Sequence, residues 1–186
     1  NRDTFFGVPG VNRTGLEAHI LKARLDGELA DNLDWSTTLL YGDYDKYYTN
    51  VYANGAATSP TGTVALAGYT DPTKRENFIA QTNLVWNVAV GGTDNKILAG
   101  LEYGEQDSSN RRLNAVLSSG TLNLAKIVYP TVTFPAINRD TGSKVKFFSA
   151  YVQDQIGIGE HVDVVVGLRF DRFDISGVDY AATPDR

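Results

Sequence analysis

The sequence predicts an all-β chain, an antiparallel up-and-down meander of about six strands. Three observations carry this expectation. Alternation with period two recurs in six segments, whereas helical periodicity is weak throughout. The connections alternate between short turns and long loops. Each segment also reaches the roughly 9–11 residues that a membrane-crossing strand needs, against about 5–6 for a mean strand in soluble proteins.

The first segment, Glu17 to Leu29, sets His19, Leu21, Ala23, Leu25, Gly27 and Leu29 against Lys22, Arg24, Asp26 and Glu28. The second, Trp35 to Tyr48, puts Trp35, Thr37, Leu39 and Tyr41 on one face. In the third, Glu76 to Val88, Phe78, Ala80, Thr82, Leu84, Trp86 and Val88 oppose Asn77, Gln81, Asn83 and Asn87. The fourth, Lys96 to Asp107, opposes Ile97, Ala99, Leu101 and Tyr103 to Gly100, Glu102, Gly104 and Gln106. The fifth, Lys144 to Ile158, sets Phe148, Ala150, Val152 and Ile156 against Tyr151, Gln153 and Gln155. The sixth, Val162 to Ile175, sets Val164, Val166, Leu168 and Phe170 against Asp163, Gly167, Arg169 and Asp171.

Short connections carry turn chemistry: Ala30 to Asp34, Gly91 to Asn95, and Gly159-Glu160-His161. Between them lie two long ones, Thr49 to Arg75 and Ser108 to Ser143, expected to be structureless loops on one side of the meander. Soluble domains rarely carry loops much beyond about 15 residues. Outer-membrane barrels combine short periplasmic turns with long extracellular loops. Trp35 and Trp86 fall beside short turns, and Tyr41, Tyr44, Tyr103, Phe147, Phe148, Phe170 and Phe173 toward the long-loop ends, where aromatic girdles belong. A plain strand preference for aromatics would place each of them singly, but not all at two levels. Alternation alone fits a soluble β-sandwich binding module as well; strand length, loop asymmetry and aromatic placement favour the barrel.

Composition narrows the function. A formal net charge of −5 leaves no basic excess for phosphates, so nucleic acid is not an expected partner. Cysteine is absent, which removes disulfides, zinc thiolates and thiol nucleophiles. No nucleophile–base or carboxylate pair stands at a useful spacing, and an enzyme is not expected. His19 and His161 lack companion ligands, and Asp43/Asp45 and Asp171/Asp174 lack a calcium-loop pattern, so no metal or covalent cofactor is expected. Asn12-Arg13-Thr14 fits a glycosylation sequon, with little meaning in a bacterial outer membrane. Methionine is also absent, and the ends at Asn1-Arg2-Asp3 and Thr183-Pro184-Asp185-Arg186 read as cuts within a longer chain.

The stretch Tyr151-Val152-Gln153-Asp154-Gln155-Ile156, followed by Val166-Gly167-Leu168-Arg169-Phe170-Asp171-Arg172-Phe173, resembles a hairpin of TonB-dependent siderophore receptors. So do Asp3-Thr4-Phe5-Phe6-Gly7-Val8-Pro9-Gly10 leading into a strand, and Leu84-Val85-Trp86 through Ala99-Gly100-Leu101-Glu102-Tyr103. The resemblance implies a 22-stranded barrel plugged by an N-terminal domain. Residues 1–186 would then form a partial barrel of three hairpins, without the plug. It further implies uptake of a ferric siderophore, carried as ligand, across the outer membrane of a Gram-negative bacterium. The TonB complex would pull on the plug, and lipid and lipopolysaccharide would surround the wall. A cobalamin-type receptor or a porin is the alternative within the same compartment.

Ligand-binding candidates lie in the long connections and at the strand tips that adjoin them. Tyr47, Tyr48, Tyr52 and Tyr69 offer flat apolar rings with polar tips, suited to an aromatic chelate. Arg111, Arg112 and Arg139 offer guanidinium forks for carboxylates or catecholates. Interface anchoring is the plainer reading for Tyr47, and solvated charge or a lipopolysaccharide contact for the arginines. Tyr44 shares the first of these readings. Arg169 and Asp171 fall on the face of Gln153 and Gln155 and read as a polar wall.

Overall fold

The computed structural model describes residues 5–159 and 161–182. Asp3 and Thr4 of the Asp3-to-Gly10 stretch, Glu160 of the third short turn and both outermost ends lie outside them. Six long strands appear: β1 (Arg13–Ala30), β2 (Leu33–Ala53), β4 (Thr73–Val90), β5 (Thr93–Leu117), β7 (Val132–Ile158) and β8 (Val162–Asp179). Two short ones, β3 (Thr63–Thr70) and β6 (Thr121–Asn123), are added within the long connections. All belong to one sheet, and every pairing is antiparallel. The long strands pair in chain order, β1 with β2, β2 with β4, β4 with β5, β5 with β7 and β7 with β8. Links of two or three residues enforce the first, third and fifth of these pairings, since so short a link can only join antiparallel neighbours. At Gly91-Gly92 both φ angles are positive, 62° and 85°. That is the geometry of the tight hairpin turn whose twist matches its strands, and only glycine adopts it twice at little cost.

The expectation of two structureless loops is corrected. β2 and β5 continue far past Tyr48 and Asp107, and β7 starts well before Lys144. Moreover, β3 and β4 act as one strand interrupted at Asp71-Pro72. Thr49 pairs with Thr70 and Lys46 with Thr73 along β2, with no change of register across the break. Along β5, Leu113 pairs with Thr70 and Asn110 with Thr73, again in register. Proline lacks the N–H that the ladder would use, so it interrupts the strand without shifting it. The long connections are therefore hairpins that rise beyond the membrane-spanning length.

Because the registers run unbroken, each cross-strand row has a definite face. Leu39 pairs with Ala23 and Ala80; Leu84 with Trp35 and Ala99; Leu101 with Thr82 and Ala150; Leu168 with Val152. These rows form a continuous apolar face whose large side chains stay uncovered: Leu84 is 40% exposed, Leu101 49% and Leu168 77%. No second sheet packs on it among the described residues, which excludes the sandwich. The opposite face carries Gln81, Asn83, Glu102, Ser149, Tyr151, Arg169 and Asp171 in adjoining rows. The aromatic residues need one correction. Tyr41, Phe78, Tyr103 and Phe148 stand on the apolar face, but Tyr44, Phe147 and Phe173 stand on the polar one, so the latter three are no part of a lipid girdle. Phe147 instead covers Gly104 and meets Phe173 with ring centroids 6.1 Å apart.

The only dry core among the described residues lies above this band, at the long-loop end. Val8, Val51, Val64, Leu66 and Leu122 are buried there, with Phe6, Val11, Leu117, Leu124, Tyr129 and Val132 packed against them. Asn12 ties the segment before β1 into it. Its amide nitrogen donates to Asn50 Oδ1 (2.7 Å) and to the carbonyl of Val51 (2.8 Å), and its oxygen accepts from the Val8 N–H (2.9 Å). The amide that a sequon would offer to a sugar is thus used as a brace. The Tyr129 hydroxyl donates to the Phe5 carbonyl (3.2 Å), which binds the second long hairpin to the same segment.

Candidate functional site

Of the seven candidate residues, the alternation places five on the polar face above the membrane-length band. Tyr48, Asp71, Arg112 and Arg139 occupy one row across β2, the β3–β4 break, β5 and β7, with Asn50 and Tyr69 in the row above. Side-chain contacts agree with the rows. The Tyr48 and Tyr69 rings lie 5.8 Å apart, and Tyr52 and Tyr69 6.2 Å. The Arg112 guanidinium stands over Tyr69 at 4.2 Å, an attraction of cation to ring face. Tyr48 and Tyr52 remain more than a third exposed.

Tyr47 and Arg111 lie on the other face. Tyr47 covers Gly15 and sits under the Arg13 guanidinium at 5.4 Å. Arg111 pairs with Asp140 at 3.5 Å. The parity of Tyr47 with Trp35 and Leu39 carried this division, since no register shift intervenes along β2.

At the centre of the five stands Asp71, a residue the sequence reading did not single out. Its Oδ2 accepts from Arg112 Nη2 (2.6 Å), Arg112 Nε (3.1 Å) and Arg139 Nη2 (3.4 Å), and its Oδ1 from Asn110 Nδ2 (2.6 Å). Arg139 Nε donates in turn to Asn110 Oδ1 (2.7 Å). Burial works to raise the Asp71 carboxyl's pKa, but the hydrogen bonds from Asn110 and Arg112 and the charges of Arg112 and Arg139 outweigh it and hold it below the ordinary carboxylate value. The sequence offers only an Asp-Pro pair within a Thr/Tyr-rich stretch; the arginines that meet it come from distant strands and are brought there by register.

Lower on the polar face runs a hydrogen-bonded wall. Tyr151 reaches from β7 across Gly100 of β5 to Asn83 of β4 (2.6 Å) and also accepts from Gln81 (2.8 Å). Arg169 holds Glu102 (3.0 Å) and Asp171 (2.9 Å). These groups satisfy one another, as the polar-wall expectation required. No group of three metal-ligating acids or histidines occurs among the described residues. His19 simply pairs with Glu17 at 3.1 Å.

An uncovered apolar face, a self-satisfied polar face and hairpins rising at one end define part of the wall of a large transmembrane outer-membrane β-barrel. The sequence matches the family described as TonB dependent receptor-like, beta-barrel, over residues 1–186. The chain belongs to that family. The barrel resembles the closed form of the ferric-catecholate import receptor Fiu from Escherichia coli K12, at TM-score 0.78 and 17% identity, over 95% of this chain and 26% of that one. FpvA of Pseudomonas aeruginosa, solved with a ferric pyoverdine, gives 0.77 and 11%, over 87% and 22%. BauA, the ferric preacinetobactin receptor of Acinetobacter baumannii, gives 0.69 and 15%, over 88% and 25%. The chain thus spans about a quarter of the length of these structures. No curated protein matches it at a significant level.

Proposed function

We propose that this chain is part of a receptor that takes up ferric siderophores across the Gram-negative outer membrane, driven by the TonB complex acting through a plug domain. The six long strands contribute wall, and the apolar face meets lipid and, at its upper edge, lipopolysaccharide. The observation that carries the ligand class is the gathering of Tyr48, Tyr52, Tyr69, Arg112 and Arg139 on the lumen-side face above the membrane band. Rings that stack and guanidiniums that pair with oxyanions suit a bulky, partly aromatic, anionic iron chelate. Lys46 and Arg75 share that face and add to its positive field. Tyr47 and Arg111 face outward, away from that gathering, and take no part in it.

The test is equilibrium binding and uptake of iron-55-labelled ferric siderophores by the full-length receptor in cells. Tyr48→Ala with Tyr52→Ala should weaken binding by about thirtyfold, the effect of losing a hot-spot contact of at least about 2 kcal/mol. Tyr47→Ala should leave it within about threefold. Deleting the TonB function should stop uptake while binding persists. Equal effects of Tyr47 and Tyr48, or uptake that ignores TonB, would overturn the proposal; the latter would favour a passive porin.

A further inference from the structure

We propose that Asp71 is a specificity determinant of this receptor, a built-in carboxylate that occupies the arginines and so sets how much negative charge a ligand must bring. The inference rests on the siderophore reading above and names a residue and a selection rule that reading does not contain. Two guanidiniums, Arg112 and Arg139, converge on a single oxygen, Asp71 Oδ2. Asp71 already engages the Nε and Nη2 donors of Arg112, so a ligand oxyanion pairing side-on must displace it, and one pairing end-on through Nη1 must share Nη2 with it. Asp71 competes from within the molecule, where its effective concentration is far above that of any free ligand.

Several observations make this more than a structural ion pair. The cluster is open on the side where a ligand would approach: the Arg112 and Arg139 side chains are 30% and 44% exposed, whereas Asp71 is 16%. The exposed faces are therefore cationic and the carboxylate lies behind them. The Tyr69 ring backs Arg112, and Tyr48 continues the aromatic surface from Tyr69. Asp71 also sits at the strand break, where its N–H still donates to the Tyr48 carbonyl (2.7 Å) and the following Pro72 keeps it extended, so the carboxylate is held in one place beside the arginines. Two guanidiniums and one carboxylate leave one net positive charge. A neutral chelate meets little penalty there, and an anionic one must displace Asp71 or share its donors. Discrimination is a difference of affinities, and a repelling group creates it as readily as an attracting one.

The experiment compares two probes on the full-length receptor: an anionic ferric tris-catecholate chelate and a neutral ferric trihydroxamate chelate, both labelled with iron-55. Asp71→Asn should raise affinity for the anionic probe about tenfold relative to the neutral one. Adding Arg112→Gln should erase that gain. Protease resistance of the tip around Leu122 reports folding in each variant. If Asp71→Asn loses that resistance, the decisive variant becomes Asn114→Asp, which adds a second carboxylate to the same face, opposite Tyr69 and one row above Arg112, without touching the bonds to Asp71. Anionic-probe affinity must then fall while neutral-probe affinity holds. An unchanged ratio between the probes in the folded variant overturns the role of Asp71 and leaves the siderophore reading standing. Failure of the wild-type receptor to bind either chelate removes that reading, and this inference falls with it.

Discussion

The membrane-length band and the tip above it follow the same strand alternation but cover their apolar side chains differently. In the band, Leu84, Leu101 and Leu168 stand uncovered. In the tip, Val51 and Leu66 continue the same face of the same strands, yet Val51 is 1% exposed and Leu122, which packs with them, 0%. On the proposed reading, the acyl chains of lipid do the covering in the band. Above it the surroundings are water, and the chain must fold segments 5–12 and 117–132 over its own apolar residues. Between the two zones the apolar face turns charged, with Asp45 paired to Lys74 and Lys144 to Glu105 and Asp107. The change from uncovered leucine through charge to self-covered valine marks where lipid gives way to water.

The largest expected effect tests the tip. Leu122→Ala should cost it about 2–5 kcal/mol, as for other fully buried leucines. Amide exchange should show faster opening of the strands at Val64 and Leu66 while exchange in the band stays slow. Equal loosening of both zones would show that they are one cooperative unit. The band is tested next. Leu84→Arg should cost about 2–4 kcal/mol on refolding into bilayers, and Asn83→Arg on the lumen side far less. Equal costs would reverse the faces. The smallest effect concerns acid. Asp71 has its pKa lowered on folding, so its contribution is complete above the unfolded-chain value of about 4 and is lost as pH falls through the lower folded value. The tip should therefore loosen below about pH 4, and Asp71→Asn should remove that dependence. A tip whose acid response ignores the substitution would place the sensitive group elsewhere.

The band was legible in the sequence because lipid on one side and a polar lumen on the other impose strict alternation, as in Phe78 to Val88. The hairpin extensions were not. Beyond the band both faces meet water or protein, so Thr49-Asn50 and Ser108-Ser109-Asn110 pair as strands without an apolar stripe to announce them. Asp71-Pro72 also reads as loop punctuation, although it interrupts a single strand. Within the site, tyrosine and arginine were legible as chemical types, and parity from Trp35 separates Tyr48 from Tyr47. Asp71 was not legible, because Arg112 and Arg139 come to it from 41 and 68 residues away, and only the shared register brings them together.

Tyr151 has a consequence for the passage the wall encloses. A tyrosine standing upright on the lumen side would narrow the bore by nearly its own length. Here the ring lies sideways in the gap left by Gly100, anchored to Asn83 two strands away. Phe147 does the same over Gly104. Bulky aromatic side chains are thereby laid along the lining like tiles rather than standing out from it. A β-carbon at Gly100 would overlap the Tyr151 ring and lift it into the passage.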